Sequence, residues 1–273
     1  MIIIVLLFGS AAIPAYAVAP GGSNVVLGDD AMDKLCASTV STMATWWSYS
    51  PYWGTVAYIG GANRSCANVN LTADWVSRVH DQGWDFMPTW AGPQAPCGQY
   101  GSVKISTDLP TARTQGTNDA TSAFNTAVNY GFTKGTIIYF DIEAYDTSNS
   151  GCHAAVDAFL DAWVAKMRSL GNRVGIYGSS CGSDATSWAR LAHVPDDVWL
   201  GAWISPIPNT SSTMNIPCVD NGLWIYQQRI HQYTGNSTET YGGVQLIIHR
   251  NCPEGHVAGT HAWNDGNPNN CSI

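Results

Sequence analysis

The stretch 135–146, GTIIYFDIEAYD, constrains the fold more than any other part of the chain. It runs through Ile137, Ile138, Tyr139 and Phe140, β-branched and aromatic residues suited to a buried strand. Without leaving that apolar run it places Asp141 and Glu143. Successive strand side chains alternate faces, so Ile137, Tyr139, Asp141 and Glu143 point one way and Ile138, Phe140 and Ile142 the other. Two acids at the end of an apolar face are costly to bury unless paired or used. The chain has only three glutamates, Glu143, Glu239 and Glu254, so Glu143 is not one of many scattered surface charges. Two readings stand: Asp141 caps a turn while Glu143 pairs with a base, or the pair carries chemistry or ligand binding.

Other apolar runs have the same length. Strands are expected at 55–61, 84–92, 173–179, 198–204, 222–228 (running on into RIHQY) and 244–249, with a weaker one over 25–33. Pro88 counts against a central position for its strand. Helical spacing appears at 38–49 (Val40, Met43, Trp46, Trp47), 71–82, 117–130 and, most clearly, 152–170, with a short helix at 184–192. Gly83, Gly131 and Gly171 mark three helix ends. The long polar segment 93–116 reads as an excursion that shapes a site. Strand–helix alternation through the fifth strand predicts an α/β fold, a single-domain (β/α)8 TIM barrel. An open doubly wound sheet is the alternative; it would bring a Gly-rich dinucleotide loop, and none follows a strand here. In a barrel the C-terminal strand ends meet at one rim. Asp33, Asp141, Glu143, Tyr177, Trp203 and the group Arg229, His231, Gln232 and Tyr233 would converge there. Aromatic rings beside carboxylates suit a sugar.

Charged residues make up 12% of the 273-residue chain and the net charge is −8. With no basic stripe, the charge argues against a nucleic-acid partner. Residues 1–17, MIIIVLLFGSAAIPAYA, read as a signal peptide ending in a small-x-small site, although a positive n-region is missing. The barrel domain would then span 18–273, with no membrane contact after cleavage. Eight cysteines, an even count in a secreted chain, predict up to four disulfides of unassigned pairing. No CxxC or HExxH motif occurs, so neither a metal nor a cofactor is expected. Asn63, Asn70, Asn209 and Asn236 begin glycosylation sequons.

The stretches VAYIGGANRSCANVNLTADWV (56–76), GWDFMPTWAGPQAPC (83–97), GTIIYFDIEAYDTSNSGC (135–152) and RIHQYTGNSTETYGGV (229–244), with STVSTMATWW (38–47), resemble a known family. It is the bacterial secreted glycoside hydrolase-like family called domain of unknown function 1906, related in fold to the muramidases of glycoside hydrolase family 25. The resemblance implies a catalytic set of Glu143 as general acid, Asp141 as charge stabiliser and Asp33 as assisting acid. An apolar mouth with Asp141 nearby would raise the Glu143 pKa to suit that role. Around the set, Trp90, Tyr139, Tyr177, Trp203, Arg229, His231, Gln232, Tyr233 and His249 are candidate substrate-binding residues. Two positions depart from the family pattern: His249 and Ala202 stand where relatives tend to carry acids. The expected partner is a polysaccharide or peptidoglycan-type glycan, met outside the cell by a monomer. The alternative is a carbohydrate-binding barrel of the same fold without catalysis.

Overall fold

In chain order the elements are β1 (Ser23–Val25), β2 (Asp30–Asp33), α1 (Val40–Tyr49), β3 (Tyr52–Gly60), α2 (Ala73–Gln82), β4 (Asp85–Trp90), α3 (Leu109–Asn129), β5 (Ile137–Asp141), α4 (Ser150–Ser169), β6 (Arg173–Ser179), a 3-10 turn (Ala185–Arg190), β7 (Asp197–Gly201), β8 (Arg229–Tyr241), β9 (Val244–Glu254) and β10 (His256–Ala258). They belong to a computed structural model that describes residues 36–203 and 212–259, together with the backbone path of 23–25 and 30–33. The expected signal peptide, Asn209 and Cys271 lie outside the described residues. No helix among the described residues is long and apolar enough to cross a membrane.

The helices begin where short polar side chains can serve the free N–H groups of a first turn. Thr39, Thr72, Asp108 and Asn149 each accept from a backbone N–H three residues on. The strands form one curled α/β sheet in the order β1-β10-β4-β3-β2-β9-β8-β7-β6-β5, and β4 also pairs with β5. On that edge of β4, β10 pairs at Phe86 and β5 at Thr89 and Trp90. Pro88 falls between the two partners, which reconciles it with an interior strand.

Alternation within the strands sorts two cores. Val56, Tyr58, Met87, Ile137, Tyr139, Tyr177, Trp199 and Ile230 fill the interior of the curl. Phe86, Ile138, Phe140, Ile176, Val198 and Leu200 face the helices, packing with Phe159 and Trp163.

The regular strand–helix alternation of a (β/α)8 barrel is not what the described residues show. β9 runs antiparallel to both β2 and β8. The β8–β9 hairpin takes the place of helices over α1: Tyr241 packs edge-on to Trp46 at 5.0 Å, and Trp46 Nε1 donates to the Val244 carbonyl. The expected strand at 222–228 is instead a turn segment. Trp224 and Gln227 take left-handed φ values of 48° and 58°, and the strand starts only at Arg229.

Two further differences concern α3. It begins at Leu109, eight residues before the expected helix, because Asp108 caps it and Pro110 fits its first turn. Gly116 therefore lies inside a helix, where a Cβ would sit 2.3 Å from the Phe159 carbonyl oxygen of α4. In an unobstructed helix Gly→Ala gains about 1 kcal/mol. Here Gly116→Ala is expected to lose about 1–3 kcal/mol by overpacking, read as a lower urea midpoint; a gain would refute the close α3–α4 approach.

Trp90, expected at the rim, faces α3 instead. It is 7% exposed and donates from Nε1 to Asp119 Oδ2 at 2.6 Å. Burial raises the Asp119 pKa above its ordinary value of 3.8, partly offset by the Trp90 hydrogen bond. The folded chain thus favours the protonated carboxyl. That contribution is fully present below the ordinary value and is lost as pH rises through the raised one. Relative to the parent, Asp119→Asn should gain stability progressively as thermal unfolding is followed from about pH 3 to about pH 7.

Candidate active site

Asp141 is the last residue of β5, and Glu143 follows just past the strand end. The Ile142 N–H donates to the Tyr177 carbonyl at 3.0 Å, carrying the β5–β6 pairing one residue further. Between them stands Gln94, 4% exposed. Its Nε2 donates to the Asp141 carbonyl at 2.7 Å, and its Oε1 accepts from the Glu143 N–H at 2.8 Å. One amide side chain thus sets the backbone on both sides of Ile142.

Two adjoining cavities open at this end of the sheet, of about 500 and 250 Å³. Tyr58, Tyr100 and Glu143 border both. The smaller adds Asp141, Gln94 and Asn63. The larger adds Tyr177, Ser179, Ser180, Ala202, Trp203 and His249. Glu143 therefore lies on the divide of a two-lobed cleft.

Gln232, fully buried as the fourth residue of β8, fixes the aromatic side. Its Oε1 accepts from the Tyr177 hydroxyl at 3.0 Å and from Trp203 Nε1 at 2.9 Å. His249 meets Trp203 edge-on, with ring centroids 5.5 Å apart. Asp33 is the cross-strand neighbour of His249 in the β2–β9 register. The cleft end of the sheet therefore gathers Asp141, Glu143, Tyr177, Trp203, Gln232 and His249, and brings the backbone of Asp33 alongside.

Five expected contacts lie elsewhere. Trp90 belongs to the outer core. Tyr139 shares the face of Asp141 but sits a layer deeper, fully buried, donating to the His256 carbonyl at 2.7 Å. Desolvation holds its hydroxyl pKa well above the ordinary tyrosine value. Arg229 opens β8 at the opposite end, 2% exposed. There it donates to the carbonyls of Thr213, Asp220 and Leu223, and burial lowers its pKa. His231 and Tyr233 alternate to the outside. The His231 ring nitrogens lie 2.8 Å from the Ser212 carbonyl and 3.0 Å from that of Ala202, so His231 braces the rim from behind. Tyr233 is 2% exposed and packs with Cys252.

Gln94, Tyr58, Tyr100 and Asn63 were not among the candidates. For Gln94 and Tyr100 the signal is the polar excursion 93–116, read as site-shaping without a residue named; Tyr58 lies on the expected strand 55–61, and Asn63 is noted only as a sequon. Asn63 holds that excursion: Nδ2 donates to the Gly92 and Val103 carbonyls, and Oδ1 accepts from the Ser102 and Val103 N–H groups. Its sequon is thus occupied by structure. Asn70 likewise donates to the Ala37 carbonyl, whereas Asn236 is exposed. Disulfides Cys36–Cys66, Cys97–Cys152 and Cys181–Cys218 tie loops at this same end.

The curled α/β sheet has a fold shared with several solved structures. The fold resembles an uncharacterized B. stearothermophilus protein (TM-score 0.53, 16% identity, 83% of this chain and 96% of that one). It also resembles the modular autolysin LytC from Streptococcus pneumoniae, solved with a synthetic peptidoglycan ligand (0.52, 13%, 82% and 46%), and the Clostridium perfringens spore cortex lytic enzyme SleM (0.50, 15%, 83% and 68%). The chain thus spans less than half of the autolysin, and at these identities the likeness is one of fold. No curated protein matches the sequence. The family model of the Rv2525c-like, glycoside hydrolase-like domain matches residues 44–252, and the chain belongs to that family.

Gln94→Leu keeps the volume but leaves the buried Asp141 carbonyl and the Glu143 N–H without this partner. It should cost about 1–3 kcal/mol of stability, measured by urea unfolding; a change within error would show that the bridge is not needed to hold the strand end.

Proposed function

We propose that this protein is a secreted glycoside hydrolase of cell-wall or extracellular polysaccharide, working at the β5 end with Glu143 as general acid. The observation that carries this reading is the position of Glu143 on the divide between two lobes of an aromatic-lined cleft, with Asp141 bordering one of them. A glycosidic bond lying across that divide has a proton donor beside its oxygen and sugar-sized space on both sides. Family membership and the likeness to cell-wall lytic folds support a glycan partner of peptidoglycan type. The disulfides and the apolar N-terminal stretch support an extracellular site of action.

In this mechanism Glu143 protonates the departing glycosidic oxygen. Asp141 stabilises positive charge at the anomeric carbon, or orients a substrate 2-acetamido group in a substrate-assisted route. Asp33, next to His249 in the strand register, assists. Gln94 keeps the two principal acids in fixed backbone relation, so little reorganisation is needed as charge develops.

A second reading has its own observation. Ala202 and His249 both line the larger cavity, and these are the two positions where the family resemblance implies acids. A cleft that kept its aromatics and lost these acids can hold a glycan without cutting it.

Reducing-sugar release by the oxidised protein from peptidoglycan, chitin, arabinogalactan and glucans separates the two. Glu143→Gln should lower release by about 10²–10⁴-fold. Retained glycan binding with no release by parent or variant would favour the binding module.

A further inference from the structure

We propose that Tyr100 is a substrate-binding residue whose ring forms a fixed wall where a glycan chain crosses from one lobe of the cleft to the other. This rests on the reading of the cleft as a glycan site.

The first argument is position. Tyr58, Tyr100 and Glu143 border both cavities, whereas Tyr177 and Trp203 border the larger. Tyr58 is 7% exposed and packs in the interior of the curl, so most of its surface is already covered by protein. Tyr100 is 55% exposed. It therefore brings a largely open aromatic ring to the divide on which Glu143 stands. A chain long enough to fill both lobes passes that ring beside the bond that Glu143 would protonate. A tyrosine ring offers a flat apolar face to the C–H side of a sugar and a hydroxyl that donates or accepts.

The second argument is preorganisation. Tyr100 lies in the segment 94–105, whose ends are bonded to each other. The Gln94 N–H donates to the Val103 carbonyl at 3.0 Å, and the Ile105 N–H donates to the Gln94 carbonyl at 2.9 Å. The Gln94 side chain also sets the backbone at Asp141 and Glu143, so one residue holds both the loop and the acid. Cys97–Cys152 fastens the same loop to α4. Lys104 Nζ donates to the Gly98 and Tyr100 carbonyls at 2.7 and 2.5 Å. Just beyond the ring, Gly101 turns the chain at a φ of 68°, and a Cβ there would sit 2.6 Å from Asn63 Cγ. Both the turn and the contact require glycine. The Asn63 Oδ1 then accepts from the Ser102 and Val103 N–H groups. The backbone on both sides of Tyr100 is thus fixed before a ligand arrives, and a sugar stacking on the ring loses little ordering entropy.

The test is calorimetric binding by the full oxidised chain. Each Tyr100 variant is made in the parent and in the Glu143→Gln background, so that neither turnover nor the lost carboxyl decides the result. The probes are six-ring oligomers of N-acetylglucosamine and of glucose, and soluble peptidoglycan strands. For the probes that bind, Tyr100→Ala should weaken the complex about tenfold, and Tyr100→Phe should stay within about threefold of the parent. Tyr100→Leu keeps bulk without a flat ring and should lose nearly as much as Tyr100→Ala. Lys104→Met keeps the ring but frees the Tyr100 carbonyl, and should cost about threefold. The urea midpoints of the Tyr100 variants should match the parent's, because the ring is more than half exposed. Unchanged binding by folded Tyr100→Ala and Tyr100→Leu proteins overturns this proposal and leaves the glycan reading standing. A loss in Tyr100→Phe as large as in Tyr100→Ala overturns the ring as the contact surface. Binding of no probe by the parent overturns both.

Discussion

The aromatic fill of the sheet interior decides where this protein can have a cleft at all. Trp199 sits between Tyr139 and Tyr177, with ring centroids 6.0 and 4.4 Å away, and its indole N–H donates to Asn251 at 2.7 Å. Rings of this size need small partners opposite. Gly175 supplies one, since a Cβ there would lie 2.1 Å from the Tyr139 ring. Each such ring buries on the order of 150–250 Å², roughly 4–6 kcal/mol as an upper estimate by area. Below them, His256 of β10 pairs with buried Asp197 at 2.7 Å, and its carbonyl receives the Tyr139 hydroxyl. The interior is packed at this level, and the cleft that holds Asp141 and Glu143 opens where β5, β6 and β7 end.

That end is built from loops, which bury little and order at high entropic cost. The disulfides fall where that cost is greatest. Cys97–Cys152 closes 55 residues, Cys181–Cys218 closes 37 and Cys36–Cys66 closes 30. In the chain-entropy account each contributes about 3–4 kcal/mol by restricting the unfolded chain. Asn63 does the same locally with four hydrogen bonds to backbone. The described cleft walls without regular structure are thereby tied to one another and to the elements beneath them.

Much of this was legible in the sequence, and what was not has identifiable causes. The β5 strand, α1, α2 and α4 follow from apolar period, and the cleft positions of Asp141, Glu143, Tyr177 and Trp203 follow from strand parity once a barrel is assumed; His249 enters only through the family resemblance. Parity, however, fixes a face and not a layer. Tyr139 shares the face of Asp141 and still lies a layer too deep. For Arg229 the sequence pattern misleads about position: the apolar run 222–228 reads as strand, which makes Arg229 its far end, whereas the left-handed turns at Trp224 and Gln227 make it the near end. Trp90 was misplaced because a tryptophan at a strand end is equally suited to rim and helix layer. Asp119, 29 residues on, decides between them, and such a pairing has no local signature. Gln94 was invisible for a related reason. A single glutamine in a polar loop carries no pattern, and only the folded chain brings it to Asp141 and Glu143.

The two residues that organise the cleft are both buried glutamines. Gln94 fixes the acidic side by donating to one backbone group and accepting from another; Gln232 fixes the aromatic side by accepting from two side-chain donors. An amide can do both jobs without adding net charge. A lysine or arginine at Gln94 would bind the same carbonyl but would place a cation beside Asp141 and Glu143, favouring their ionised forms. A glutamate there would lack the donor and repel them. At Gln232 a carboxylate could accept from Tyr177 and Trp203, but it would add a buried charge against the aromatic wall. Neutral amides hold the geometry on both sides, and the charge in the described walls of the cleft is left to Asp141, Glu143 and His249.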